Sequence, residues 1–140
     1  MQELSFLYPL DEISQAAQRI IDSAGDAKVW LFIGDMGAGK TTMIKAICQT
    51  LGATGDFSSP TYSLANEYPT PEGKIFHLDL YRLRSIEETI DIGIEDYLFG
   101  GCYCFVEWPQ LIMPLLKKGE FITINITSTS ENERKITIFI

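Results

Sequence analysis

KVWLFIGDMGAGKTTMIKAI, Lys28–Ile47, decides how this chain folds. Lys28–Ile33 is a short apolar run suited to a strand buried on both faces, and Gly34, Gly37 and Gly39 follow it closely. Beyond them Met43, Ile44, Ile47, Cys48 and Leu51 recur at helical spacing, so an amphipathic helix leaves the turn, with Gly52 as its stop. The unit is strand, glycine-rich turn, helix, and it predicts an α/β layered architecture.

On the N-terminal side, Leu4–Leu7 reads as a short strand. Ile13, Ala16, Ala17, Ile20 and Ile21 then mark a helix that Gly25 closes. On the other side, a polar stretch over Ala53–Pro60 leads into SPTYSLANEY, a loop passing into a strand, and Pro69, Pro71 and Gly73 mark a turn. KIFHLDL, Lys74–Leu80, is an apolar strand with one carboxylate near its end. Ser85 and Glu88 form a capping box that opens a short helix. Cys102–Glu107 is another buried strand ending in a carboxylate. From Glu120 to Ile140 the pattern alternates as ITINIT and ITIFI across SENERK, which predicts an antiparallel pair. The expected fold is one three-layer α/β domain over residues 1–140, like the P-loop NTPases, with a mixed, largely parallel central sheet and a C-terminal antiparallel pair.

Bulk composition narrows the class. At 140 residues, 46% apolar and 21% charged, the chain has the make-up of a globular protein. No apolar run approaches the roughly 20 residues that span a bilayer. The opening MQELSFLYPLDE lacks the basic start and long apolar stretch of an export signal, so the cytoplasm is the expected location. Cys48, Cys102 and Cys104 are odd in number and without a matching ligand set, so they read as inert thiols. A formal charge of −8 opposes tight RNA binding by this chain alone, because lysine and arginine supply most affinity for phosphate backbones.

GDMGAGKT, Gly34–Thr41, fits G-x-x-x-x-G-K-[ST] at every fixed position. The glycines let successive N–H groups turn toward phosphate oxygens. Lys40 supplies a cation for the outer phosphates and Thr41 a hydroxyl for Mg2+, while the following helix aims its positive end at the same anion. Asp35, Met36, Gly37, Ala38, Gly39 and Thr42 complete the expected nucleotide contacts. A magnesium-nucleotide site also needs a carboxylate at the end of a neighbouring strand, and Asp79 in HLDLYR and Glu107 in CFVEW both qualify. No N-K-x-D segment is present to read guanine, so ATP is the expected nucleotide. His77, two residues before Asp79, shares its strand face; it reads first as a satisfied core histidine.

The loop, SPTYSLANEY, HLDLYR, GIEDYL and VEWP, taken in that order, resemble the TsaE (YjeE) family of small bacterial ATPases. The resemblance covers most of the chain and is loose only in the tail. It implies a part in making threonylcarbamoyladenosine beside the anticodon of tRNAs that read codons beginning with A. There the ATPase assists TsaB and TsaD, and tRNA is met only through that complex. Carried over by position, Lys40 and the loop amides hold the phosphates, Thr41 and Glu107 are the expected magnesium ligands, and Asp79 lies close by. Ser59, Pro60 and Thr61 match a switch-like segment in which Thr61 senses the terminal phosphate, against the plainer reading of a turn before a strand. Trp108 stands where the family has a tryptophan beside the nucleotide, or else packs in the core. Adenine contacts fall to the region of Leu10 and to Arg134. Tyr81 and Arg82 lie just past a strand tip, where the arginine either meets phosphate or a partner or makes a structural ion pair.

Two other classes share this loop. A small-molecule kinase would pass the γ-phosphate to a bound acceptor, but such enzymes bring an arginine-rich lid, and only Arg82 and Arg84 cluster here. A nucleotide-gated docking module would bind without appreciable turnover.

Overall fold

The computed structural model describes residues 2–54 and 65–140, so Ser59, Pro60, Thr61 and Tyr62 lie outside the described residues. Seven strands are present among those described: β1 Glu3–Pro9, β2 Val29–Ile33, β3 Ala65–Thr70, β4 Gly73–Asp79, β5 Tyr103–Glu107, β6 Phe121–Ser128 and β7 Glu133–Phe139. They build one sheet in the order β1-β7-β6-β2-β5-β4-β3. Among the described residues the α-helices are α1 Ile13–Ala24, α2 Lys40–Thr50, α3 Ile86–Asp91 and α4 Ile94–Leu98.

The apolar run of β2 explains its place at the centre. Trp30 and Phe32 point to one face and Val29 and Leu31 to the other, so the strand is stable only where both faces are covered. On the first face α1 and α2 seal a core that includes Ile20, Met43, Ile44, Ile47 and Phe105. On the second, α4 and the segment after β5 cover Val29, Leu31, Cys104 and Val106 with Ile94, Leu98 and Ile112. This is a three-layer α/β fold.

β6, β2, β5 and β4 pair in parallel, β7 runs against β6, and β1 runs against β7, so β1 shares the direction of the parallel set. Only β7 and β3 run the other way, and the sheet is mixed and largely parallel in direction. The predicted C-terminal pair forms, with Thr123 opposite Phe139 and Ser128 opposite Arg134. Two antiparallel partnerships go beyond the sequence reading: β1 joins the outer side of β7, and β3 hairpins onto β4 with Pro69 on the edge strand.

Helix ends follow the local chemistry. Gly25, at φ 61°, ends α1, and Ser85 Oγ accepts from the Glu88 amide at 3.2 Å to open α3. That helix is shorter than a single capped segment suggests, because Gly93, at φ 80°, ends it and begins α4. The parallel strands bring the residue after β2 and the last residues of β4 and β5 to one edge of the sheet, where open α/β sheets hold their ligands.

Candidate functional site

Gly34 leaves β2 against the neighbouring strand. A Cβ on it would sit 2.5 Å from the Ile126 carbonyl oxygen, so only glycine lets the loop depart here. Gly37 (φ 84°) and Gly39 (φ 106°) take left-handed turns, and the Ala38 amide donates to the Asp35 carbonyl at 3.0 Å. Gly39 precedes α2 with no side-chain cap, so the amides of the first helical turn are offered to the loop's concave side. Asp35, Met36 and Gly37 form the exposed outer rim, Ala38 and Lys40 are buried, and Thr42 is exposed at the start of the helix.

Lys40 is 5% exposed. Its Nζ donates to the Gly34 carbonyl at 2.5 Å and lies 3.6 Å from the centroid of the Trp108 ring. Burial pushes its pKa below the ordinary lysine value, opposed by the carboxylates of Glu107, Asp79 and Asp35. The lysine is thus a cation held at a cost beside three acids.

Thr41 Oγ1 lies 2.9 and 3.0 Å from the two carboxylate oxygens of Glu107, to which it donates. Glu107 is 4% exposed, and His77 Nε2 meets its Oε2 at 2.7 Å. Asp79 stands directly across from Glu107 in the β4–β5 register, half-buried, with Oδ1 accepting from the Tyr81 amide at 3.0 Å. Lys40, Thr41, Asp79, Tyr81, Glu107 and Trp108 line a common cavity of about 290 Å³. A larger hollow of about 540 Å³ lies elsewhere, lined by residues such as Leu98, Leu116 and Phe121. Converging charge and hydroxyl oxygens, not size, mark the smaller cavity as the chemical one. A hydroxyl and a carboxylate in contact, with a second carboxylate on the same wall, are the hard oxygen donors that Mg2+ takes together with phosphate, so the residues present fit that ion.

Trp108 is the only non-glycine residue in the left-handed region among those described, at φ 56°. Such a turn costs roughly 1–2 kcal/mol. It brings the indole over Lys40 and against Tyr81, whose ring centroid is 5.0 Å away. Arg134 reaches from β7 to the loop, its Nε donating to the Ala38 carbonyl at 3.1 Å, while Nη1 holds the Ser130 and Glu133 carbonyls. Leu10 is tied to the β6–β7 turn through its amide, which donates to Asn132 at 2.9 Å. Thr61 lies outside the described residues.

The structure therefore brings Lys40, Thr41, Asp79, Glu107 and Trp108 together and sets Arg134 against the loop from behind. Sequence reasoning missed the partner of His77. The strand period alone placed it with Asp79, whereas the β4–β5 register sets it diagonally across from Glu107.

The family model for "Threonylcarbamoyl adenosine biosynthesis protein TsaE" matches residues 8–136. The chain is 38% identical over 104 residues to the tRNA threonylcarbamoyladenosine biosynthesis protein TsaE of Bacillus subtilis, a stretch covering 74% of this chain and 64% of that protein. It is 41% identical over 93 residues to the Haemophilus influenzae protein of the same name, covering 66% of this chain and 58% of that one. To the Rickettsia felis protein it is 34% identical over 129 residues, covering 91% and 74%. The match thus spans less than two thirds of the length of the first two relatives. Among solved structures, the crystal structure of Bacillus subtilis YdiB superposes with a TM-score of 0.71 at 28% identity, covering 98% of this chain and 84% of that one.

Proposed function

The chain belongs to the TsaE family of threonylcarbamoyl adenosine biosynthesis proteins, and from that premise we propose that it binds ATP with magnesium at Gly34–Thr41 and hydrolyses it slowly, in complex with TsaB and TsaD, in support of tRNA modification. The observation that carries this reading is the contact of Thr41 with Glu107 beside a buried Lys40, at the mouth of a phosphate-loop cavity. Family and fold support a nucleotide-binding reading, and these side chains are of the kinds that triphosphate hydrolysis uses.

Lys40 exchanges the Gly34 carbonyl for phosphate oxygens, which relieves the cost of its burial with a stronger anionic partner. The amides of the loop and of the first turn of α2 take the remaining phosphate oxygens. Magnesium bound there would supply positive charge against the triphosphate. Thr41 and Glu107 would hold that ion, with Asp79 on the same wall. Water attacks the γ-phosphorus and the bond to the bridging oxygen breaks, leaving ADP and inorganic phosphate; Glu107 and Asp79 orient the water. Trp108 and Tyr81 close one side of the cavity and limit further water.

Phosphate release tests the reading. It is measured for the chain alone and with the TsaB and TsaD proteins added, for wild type and Lys40→Ala in both settings. The expected result is low turnover that rises with the partners and is lost in the variant. Strong hydrolysis indifferent to the partners would reject the accessory role. Binding without turnover in either setting would favour the docking module.

A further inference from the structure

His77 sits two residue pairs inward from the tips of β4 and β5, fully buried and behind the cavity wall rather than on it. Its Nε2 meets Glu107 Oε2 at 2.7 Å, and because an ionised carboxylate has no proton to give, Glu107 is the acceptor and Nε2 the donor, as Thr41 is to the same carboxylate. Among the described residues the other ring nitrogen, Nδ1, is buried without a hydrogen-bond partner. Packing alone does not explain that arrangement. A phenylalanine would fill the space among Tyr68, Ile75 and Phe105 without stranding a polar atom, since burying an unpaired nitrogen is unfavourable.

We propose that His77 is a positioning residue that holds the Glu107 carboxylate in the orientation that takes magnesium. The proposal rests on the magnesium-nucleotide reading above and extends it to a residue outside the ion's own ligand set. Thr41, the other partner of Glu107, belongs to that set and does not serve as an independent anchor. His77 does, because the strands on either side fix its place: it lies opposite Asn66 on β3 and Phe105 on β5. Hydrogen-bonded partners behind a ligating carboxylate fix its orientation and tune metal affinity.

The test measures binding of a non-hydrolysable ATP analogue by calorimetry, in magnesium and in EDTA, for wild type, His77→Phe and His77→Gln. Phenylalanine keeps the ring and removes the donor; glutamine restores an amide donor near the position of Nε2. His77→Phe is expected to weaken magnesium-dependent affinity by about 10- to 100-fold while leaving affinity in EDTA unchanged, and His77→Gln to recover most of the loss. In a Glu107→Ala background the same His77→Phe change is expected to do nothing further, which keeps the test intact if the single variant folds poorly. Equal losses in magnesium and EDTA, no recovery by glutamine, or an added loss in the Glu107→Ala background would assign His77 to packing and overturn the proposal. Magnesium dependence preserved in His77→Phe would overturn the proposal alone. No magnesium dependence in wild type would overturn the reading of the site, and this proposal with it.

Discussion

Lys40 shows how far this chain gives up stability for readiness. Burial lowers its pKa below the ordinary value of 10.5, so the unfolded chain binds that proton more tightly than the empty folded one. The penalty for charging it is therefore full below the folded pKa and fades as pH rises through the folded value toward the unfolded one. Lys40→Met keeps much of the side-chain length and removes the charge. The nucleotide-free variant is expected to melt no lower than wild type at pH 7, with any advantage shrinking toward pH 10, and to gain nothing from ATP and magnesium. Thermal melts at both pH values, with and without nucleotide, check this. A clearly lower Tm for the empty variant at pH 7 would mean that the Gly34 carbonyl and the Trp108 ring outweigh burial.

At the scale of elements, β2, the loop and α2 were legible because their signals are local: an apolar run, glycines at fixed spacing, then a helical period. The C-terminal pair was legible for the same reason, as two alternating runs across a short polar link. The partnership of β1 with β7 was not, since Phe6 and Ile136 face each other across nearly the whole chain and nothing in either run names the other. Register was equally hidden, and with it the contact of His77 with Glu107, the reach of Arg134 to Ala38 and the left-handed turn at Trp108. The loop glycines, by contrast, have separable jobs. Gly34→Ala sets a Cβ against the backbone of β6, while Gly37→Ala meets nothing within 4 Å and suffers only its positive φ. Gly34→Ala is expected to cost about 1–3 kcal/mol in denaturant unfolding and to weaken nucleotide binding by displacing the loop. An unchanged unfolding midpoint would show that β6 yields at Ile126 without penalty.

The whole molecule poses a different problem: a member of a family named for a tRNA modification carries 19 acidic against 11 basic side chains. Tight binding to a nucleic acid draws on lysine and arginine neutralising phosphates, and repulsion between those phosphates and a chain of net charge −8 works against it over about a Debye length, near 8 Å at physiological salt. The cations that are buried or committed reduce the supply further, since Lys40 belongs to the phosphate loop and Arg134 holds three backbone carbonyls. On the proposed function, contact with tRNA runs through partners that bring positive charge, and nucleotide state reaches the RNA through them. Filter retention of labelled tRNA at physiological salt is expected to show no saturable binding by the chain alone at protein concentrations near 10⁻⁶ M, roughly the tight end of non-specific affinity, with or without ATP and magnesium. Retention is expected to appear when TsaB and TsaD are added. Saturable retention by the chain alone, falling steeply with added salt, would instead place a phosphate-binding face on this protein and remove the need for an intermediary.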